Sequence, residues 1–236
     1  MIAGARIGCG SHPRPLATSR FTRARWLVLA PHADDETLGA GALVAQAAAA
    51  GRLAGVVYLT DGAGSHDAGG AWLARVRRRE AALAVRRLGG CDAPPPLFLD
   101  WPDAHPHQPG SAAWHATLRQ LAALIRARRV DAIAVTGADE PHCDHTACRT
   151  IAITAIRAAR RSVTLFDYRV WTDPAVPPAR TTFRTQPMPV GQRRHALMAH
   201  RSQTGGAYGP GFRLARDAWR MPGDDILHLT GIADAR

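Results

Sequence analysis

The chain has 236 residues, of which 46% are hydrophobic and 21% charged, and these values are typical of a globular protein with one large α/β domain. No apolar stretch reaches the roughly 18 residues of a membrane-spanning helix, and residues 1–25 lack the apolar core of a secretory signal. Neither a membrane span nor secretion is therefore expected.

The formal net charge is +11, and all the basic side chains counted are Arg because the chain has no Lys. Such a charge is typical either of a surface that binds nucleic acid or an anionic membrane, or of a biased composition. The Arg residues are spread over many segments, and no basic motif interleaved with aromatic residues is present. We therefore expect no nucleic-acid partner, whereas peripheral contact with an anionic membrane and the oligomeric state stay open.

The four cysteines, Cys9, Cys91, Cys143 and Cys148, show no Cys-x-x-Cys spacing. In a chain of this length they do not indicate a disulfide scaffold. A reducing compartment, and hence a cytoplasmic location, is the expectation.

Hydrophobic periodicity predicts strands that alternate with helices along the chain. The first strand is the continuous apolar run 26–30, as expected for a strand buried on both faces. In chain order, the elements that follow are a helix at 37–50, a strand at 55–60, a helix at 71–88, a strand at 96–100, a helix at 111–128, a strand at 132–136, a helix at 145–160, a strand at 163–172 and a helix at 192–203. This alternation is typical of an α/β fold with a mostly parallel central sheet flanked by helices.

The predicted organisation is a single domain. Residues 1–25 mix Arg, Gly, Pro and Ser and are expected to form an irregular N-terminal arm, and residues 26–236 are assigned to one domain. The Pro-rich segment 174–189 is expected to be irregular, and it and the Gly-rich segment 205–211 are candidates for mobile lids over a site.

A cluster of ionisable side chains follows the first predicted strand directly. His32, Asp34, Asp35 and Glu36 lie where this strand ends and a loop begins, which is where open α/β sheets place their sites. His nitrogen and Asp oxygen are ligands of zinc and similar divalent ions, so one Asp can bind a metal while the other acts as a base beside it. The alternative role of Asp34 or Asp35 is as N-cap of the helix that follows.

A second cluster, with His142, Asp144 and His145, follows the fourth predicted strand. His142 and His145 are three positions apart, which at the start of a helix places them on one side. Because a parallel sheet brings the carboxyl ends of its strands to one edge, the two clusters are expected to meet. Two His and one Asp would then form a three-ligand site with an open position for water, leaving the other His and Asp for acid–base and oxyanion roles. A two-His-one-carboxylate iron oxygenase is the alternative, although the alternation of strands and helices disfavours it.

The two clusters resemble the signature motifs of the PIG-L/LmbE-like family of metal-dependent N-acetylglucosaminyl deacetylases. The similarity extends to segments 59–62, 77–80, 99–103 and 199–203, so it covers most of the chain between residues 26 and 203. The chain departs from the family pattern at Ala33 and Cys143, where Pro is usual or common. Ala33 loosens the loop but keeps its geometry available.

The resemblance implies a Rossmann-like three-layer fold and a zinc-dependent amide hydrolase, with Fe²⁺ as another ion that such a site could hold. It implies that His32, Asp35 and His145 are the zinc ligands. Asp34 would be the general base towards a zinc-bound water, and His142, oriented by Asp144, would assist at the tetrahedral intermediate. The implied substrate is a small N-acetylated amino sugar or a glycolipid that carries one.

Three residues are expected to contact the sugar. The resemblance places Arg77 and Asp103 near its hydroxyl groups. Among the tryptophans, Trp101 is the best candidate for stacking on a sugar ring, because it precedes Asp103 in a predicted strand-exit loop. The alternatives to a deacetylase are the iron oxygenase and, less favoured, a basic nucleic-acid-binding module.

Overall fold

The computed structural model describes residues 12–67, 69–172, 181–206 and 208–233. Within these ranges, one sheet is covered by α-helices on both faces. Its strands are β1 (Arg14–Pro15), β2 (Trp26–Ala30), β3 (Leu53–Thr60), β4 (Leu97–Trp101), β5 (Ala132–Thr136), β6 (Val163–Tyr168), β7 (Thr182–Arg184) and β8 (Ile226–Ala233). The helices are α1 (Asp35–Ala49), α2 (Ala71–Gly89), α3 (Ala112–Ala127), α4 (Cys143–Ala159), α5 (Gln192–Leu197) and α6 (Arg201–Thr204).

The strand order is β1-β7-β8-β6-β5-β2-β3-β4. The five strands from β6 to β4 are parallel to one another, whereas β8 is antiparallel to both of its neighbours. The mostly parallel α/β sheet predicted from the sequence is therefore confirmed, and its antiparallel member comes from the C-terminal part of the chain.

β2 lies at the point where the direction of strand addition reverses. The chain continues from β2 to β3 and β4 on one side, and β5 and β6 are then added on the other side. Such a reversal leaves a crevice at the carboxyl ends of the two central strands, and open α/β sheets bind their ligands there. Trp26 pairs with Ala132 and Val28 with Ala134, so the loops after β2 and β5 begin side by side.

Both faces of the central strands are buried, which explains their continuous apolar sequences. In β2, Val28 and Ala30 pack in the cluster that includes α1 and α2, while Leu27 and Leu29 pack in the cluster that includes α3 and α4. The prediction of a strand buried on both faces is confirmed for all five residues of β2. The three layers thereby fix the ends of β2 and β5 relative to each other.

The described part of the N-terminal segment packs against the sheet. β1 pairs with β7 in parallel, and Leu16 and Phe21 are buried, with the Phe21 ring edge-on to Phe166. The described part of this N-terminal segment is thus held against the sheet by its few apolar side chains.

The C-terminal third differs most from the sequence prediction. The helix predicted at 192–203 is divided into α5 and α6, and the strand predicted at 163–172 ends at Tyr168. β7 and β8 lie outside the predicted elements, because β7 has only three residues and Thr230 and Gly231 interrupt the apolar pattern of β8. Residues 174–180 of the segment predicted to be irregular, and Ala207 of the Gly-rich segment, lie outside the described residues. None of the helices in the described ranges has the length and apolar character needed to cross a membrane.

Candidate active site

The loop after β2 turns sharply at Asp34. This residue has φ 138°, in the region that residues other than Gly seldom adopt, and its carbonyl oxygen accepts hydrogen bonds from the first turn of α1, at Thr37 and Leu38. The backbone N–H of Asp34 donates to Glu36 Oε2 over 3.0 Å. The Asp34 side chain makes no capping hydrogen bond, so its carboxylate is not engaged as an N-cap.

Three residues predicted as metal ligands converge beside this turn. Asp35 Oδ2 lies 3.2 Å from His32 Nδ1 and 3.4 Å from His145 Nε2, and the ring centroids of His32 and His145 are 5.5 Å apart. Because zinc–nitrogen bonds are about 2.0–2.1 Å long, two imidazoles at this separation are close enough to bind one ion. His142 borders the same position, since His32, His142 and His145 each place a nitrogen within 4.8 Å of the others.

The buried atoms of this cluster fit a cation. Asp35 Oδ1 and His145 Nε2 are buried and have no partner in hydrogen-bonding geometry among the described residues. Burial disfavours a charged imidazole, yet the carboxylates of Asp35 and Glu140 raise the pKa of His145 to about 9. A buried position that favours positive charge and is bordered by His, Asp and His donors suits a divalent metal such as zinc.

Asp34 is buried next to this cluster. Burial, together with the neighbouring Asp35 carboxylate, raises the pKa of Asp34 to about 7, and the Arg77 guanidinium opposes the shift. Arg77 Nη2 lies 4.0 Å from Asp34 Oδ1, and the guanidinium is fixed by donating to the carbonyl oxygens of Gly62 and Ala33. The predicted base therefore has a pKa suited to proton transfer near neutral pH.

His142 is the N-cap of α4, and this contact determines which of its nitrogens carries a proton. The backbone N–H of Asp144 donates to His142 Nδ1 over 3.2 Å, so a neutral ring carries its proton on Nε2. Burial and the nearby His32 ring lower the pKa of His142, which favours the neutral ring. The Asp144 carboxylate lies 3.8 Å from His142 Nδ1 but 3.0 Å from His32 Nε2. Asp144 thus orients His142 through its backbone, while its carboxylate contacts His32.

His32, Asp34, Asp35 and His142 line a cavity of about 300 Å³ at the crevice between β2 and β5. Arg77 and Asp103, both predicted to approach sugar hydroxyls, line this cavity. Asp103 Oδ1 also lies 3.3 Å from His32 Nε2. Burial alone would raise the pKa of Asp103, but the contact with His32 outweighs burial and lowers that pKa. The cavity therefore combines a few charged side chains with a size that suits a small ligand.

Trp101 does not line the cavity, and the expectation that it stacks on a substrate is wrong. Its side chain is fully buried, its indole Nε1 donates to Thr117 Oγ1 over 2.8 Å, and its ring packs against Trp114. It is the last residue of β4 and belongs to the core under α3. The aromatic side chains that do line the cavity are Trp171 and Phe212, which are 43% and 41% exposed and face each other edge-on with ring centroids 6.1 Å apart.

Glu140 is a residue of this site that the sequence does not single out. Its carboxylate accepts hydrogen bonds from the backbone N–H groups of Val170, Trp171 and Thr172 and lies 3.3 Å from His145 Nδ1. Glu140 therefore connects His145 with the segment that carries Trp171. The available sequence signal is its place in the loop after β5, two positions before His142.

Comparison with known proteins gives a family and a set of similar folds. The family model of GlcNAc-PI de-N-acetylase, PIG-L, matches residues 27–156, whereas none of the curated proteins matches the chain. N,N'-diacetylchitobiose deacetylase from Pyrococcus horikoshii is similar in structure, with a TM-score of 0.66 and 18% identity over 92% of this chain and 87% of that chain. The zinc-inhibited form of teicoplanin deacetylase has a TM-score of 0.60 and 19% identity over 90% of this chain and 100% of that chain. A conserved protein from Thermus thermophilus has a TM-score of 0.58 and 28% identity over 76% of this chain and 80% of that chain.

The fold and the cavity define an α/β protein with a His/Asp site at the point where strand order reverses. The family match extends over more than half of the 236 residues. The chain belongs to the PIG-L (GlcNAc-PI de-N-acetylase) family of deacetylases, as its motifs predict. Membership in this family leaves the iron oxygenase and the nucleic-acid-binding module without support.

Proposed function

We propose that the protein is a zinc-dependent deacetylase that removes an acetyl group from the amide nitrogen of an N-acetylated amino-sugar conjugate. The observation that carries this proposal is the convergence of His32, Asp35 and His145 beside Asp34 and His142. Each of these side chains has a chemical role in amide hydrolysis, and the family makes that reaction the expected one.

His32, Asp35 and His145 would hold the metal, because their donor atoms meet at one buried position. A bound zinc ion lowers the pKa of water to about 7 and polarises a carbonyl oxygen, and amide hydrolysis requires both at neutral pH. Glu140, 3.3 Å from His145 Nδ1, orients that ring so that Nε2 faces Asp35.

Asp34 is the proposed general base. With a pKa of about 7, its carboxylate accepts a proton from the attacking water at neutral pH and can return it to the departing amine. Arg77 supports this role, because its guanidinium stabilises the ionised form of Asp34.

His142 is the proposed donor to the oxyanion. Since Asp144 N–H occupies Nδ1, the Nε2–H group of the neutral ring is the one left to donate to the negative oxygen of the tetrahedral intermediate. The lowered pKa of His142 is consistent with a ring that donates a hydrogen bond without carrying a charge.

The proposed substrate class is an amino sugar attached to a larger group. Arg77 and Asp103 supply charged partners for sugar hydroxyls, while the partly exposed Trp171 and Phe212 supply apolar surface. The two related deacetylases described above are named for diacetylchitobiose and teicoplanin, and the family is named for GlcNAc-PI. A cavity of about 300 Å³ suits one sugar ring, so the remainder of such a conjugate would extend past the partly exposed Trp171 and Phe212 of its lining.

The direct test is acetate release by zinc-loaded protein from a panel of N-acetylglucosamine conjugates. The panel should include diacetylchitobiose and conjugates with lipid, aryl and peptide groups, and O-acetyl sugars serve as controls for bond type. We expect one acetate and one free amine per molecule of a preferred N-acetyl conjugate, and no amine after chelation of the metal. Absence of acetate from every N-acetyl conjugate, with stoichiometric zinc bound, would contradict the proposal.

A further inference from the structure

Gln203 is a buried polar residue of the cavity that the proposed mechanism does not use. It lies in α6, is 1% exposed and lines the cavity, yet its Oε1 has no hydrogen-bond partner among the described residues. Leaving a buried amide oxygen unpaired is unfavourable, so its partner is expected from what binds in the cavity.

The direction of the Gln203 amide follows from its neighbours. Glu80 accepts hydrogen bonds from both the backbone N–H and the hydroxyl of Ser202, over 2.9 and 2.5 Å. A serine hydroxyl has one proton, and a carboxylate has none to give, so the Ser202 proton is directed to Glu80. Ser202 Oγ therefore accepts from Gln203 Nε2, over 3.0 Å, and the amide cannot turn over without losing this bond. The carbonyl oxygen is left as the free side of the amide.

Arg77 offers the complementary donor in the same cavity. Its Nε is buried and has no partner in the described structure, because its hydrogen bonds to backbone carbonyls use the Nη atoms. Arg77 and Glu80 are three positions apart on α2 and therefore lie on the same side of the helix. The helix thus positions the Arg77 guanidinium directly, and it positions the Gln203 amide through the contact between Glu80 and Ser202. A hydroxyl group both accepts and donates, and it can satisfy an arginine N–H together with an amide oxygen.

We propose that Gln203 determines specificity by accepting, through its carbonyl oxygen, a hydrogen bond from one hydroxyl group of the amino sugar. This proposal rests on the proposed sugar deacetylase function and adds to it a fixed acceptor, set by Glu80 and Ser202. A substrate without that hydroxyl leaves the Gln203 oxygen unpaired and therefore binds less well. A site that hydrogen-bonds a hydroxyl discriminates in this way against analogues that lack it.

The test combines Gln203→Met with monodeoxy forms of a conjugate that the wild-type protein hydrolyses. Methionine keeps the length of the side chain but has no amide. We expect Gln203→Met to raise KM for the intact conjugate about tenfold to a hundredfold with little change in kcat. One monodeoxy conjugate should show the same rise with the wild-type protein and no further rise with the variant. Gln120→Met, on the exposed side of α3, is the matched control and should leave both constants unchanged.

The outcomes separate this inference from the function on which it rests. If Gln203→Met raises KM equally for the intact and all monodeoxy conjugates, or leaves KM unchanged, Gln203 does not recognise a hydroxyl. Gln203→Asn keeps an amide on a shorter side chain and should show the same hydroxyl-specific loss, which provides a second variant if the methionine does not fold. A wild-type protein that releases no acetate would overturn the function itself, whereas an active wild type matched by its Gln203 variants would overturn only the role of Gln203.

Discussion

The backbone of Asp34 is strained at the residue that the mechanism uses as its base. A non-glycine residue with φ 138° costs about 1–3 kcal/mol, which the surrounding structure must offset. Glu36 contributes to this, since its buried carboxylate accepts from Asp34 N–H and lies 3.4 Å from His200 Nε2. The strained turn is therefore held by a buried polar contact between α1 and the segment before α6.

Asp34→Gly should separate stability from activity. Glycine adopts this backbone conformation without strain, and the change removes a carboxyl group that burial makes unfavourable to ionise. We expect the free energy of unfolding in urea to equal that of the wild type or exceed it by up to about 2 kcal/mol. Acetate release should be lost and zinc retained. A markedly less stable variant would show that the Asp34 backbone is not strained. Retained hydrolysis would show that Asp34 is not the general base.

His142→Ala tests the oxyanion donor. Removing one such donor typically lowers kcat by about two to three orders of magnitude. The loss of the N-cap should also lower the free energy of unfolding by about 1 kcal/mol. Turnover should therefore be measured at a temperature where circular dichroism shows the variant folded and metal analysis shows it loaded. Near-wild-type kcat under those conditions would exclude the proposed role.

Glu140→Gln tests the contact that holds His145. The substitution removes the charge beside His145 Nδ1 and one acceptor oxygen, and loss of such a partner typically lowers metal affinity about tenfold to a hundredfold. Competition with a chromophoric chelator measures the zinc affinity. Asp139→Asn, at the exposed neighbouring position, is the control and should bind zinc as the wild type does. Equal affinity in the Glu140 variant would show that this carboxylate does not support the metal site.

The motif residues could be predicted because they lie close together in the sequence. His32, Asp34 and Asp35 occupy one turn, and their residue types and spacing predict a metal-binding site with a base beside it, whereas the role of each residue is what the family resemblance implies. Trp171 and Glu140 could not be placed in this way, since their positions depend on packing between segments that are distant along the chain. Trp101 shows the reverse case, because a tryptophan next to a site residue in sequence can still face the core.

At the level of elements, α1 is a broken helix held together by a buried ion pair. The helix is non-helical at Ala40, and Arg193 Nη1 donates to the carbonyl oxygens of Thr37 and Leu38 on one side of the break. Asp225 Oδ2 accepts from Leu43 N–H on the other side, and its Oδ1 accepts from Arg193 Nη2. The Arg193–Asp225 pair thus forms hydrogen bonds with backbone groups on both sides of the break. It also holds the first turn of α1, where Asp35 lies.

Arg193→Met should be costly, because it leaves the buried Asp225 carboxylate without its counter-charge. A loss of about 3–5 kcal/mol in the free energy of unfolding is expected for such a change. Adding Asp225→Asn should restore part of that loss, with a coupling energy of about 1–3 kcal/mol between the two positions. Urea unfolding of both single variants and the double variant measures this coupling. Strict additivity would contradict a direct role of the pair.

The elements predicted well are those with a repeated strand–helix pattern. Apolar runs mark the strands from β2 to β6, and helical periodicity marks the helices from α1 to α4. Both patterns follow from the packing of helices on the two faces of the sheet. β7 and β8 lack such a pattern, and β7 depends on pairing with β1 and β8, which are distant in sequence. Tertiary pairing of this kind leaves little trace in a local window.

At the level of the whole molecule, the topology of the sheet creates the site. His32 Nε2 and Asp144 Oδ2 lie 3.0 Å apart although their residues are 112 positions apart, because β2 and β5 are adjacent where strand order reverses. The meeting of the two clusters was predictable from parallel strand alternation alone. Trp171, Gln203 and Phe212 also line the cavity, and they come from the part of the chain where the structure differs most from the prediction. The surface expected to contact the substrate is therefore the least well predicted part of the site.

Equilibrium zinc binding to the wild-type protein, His32→Ala and His145→Ala tests most directly whether both loops hold one ion. We expect one tightly bound zinc per wild-type chain, and a large loss of affinity from either substitution alone, because each removes one of the three proposed ligands. Zinc should also raise the free energy of unfolding of the wild type, by about 2.7 kcal/mol at a hundredfold excess over Kd, and do so much less for the variants. Wild-type zinc affinity in either folded variant would contradict a shared site at the ends of β2 and β5.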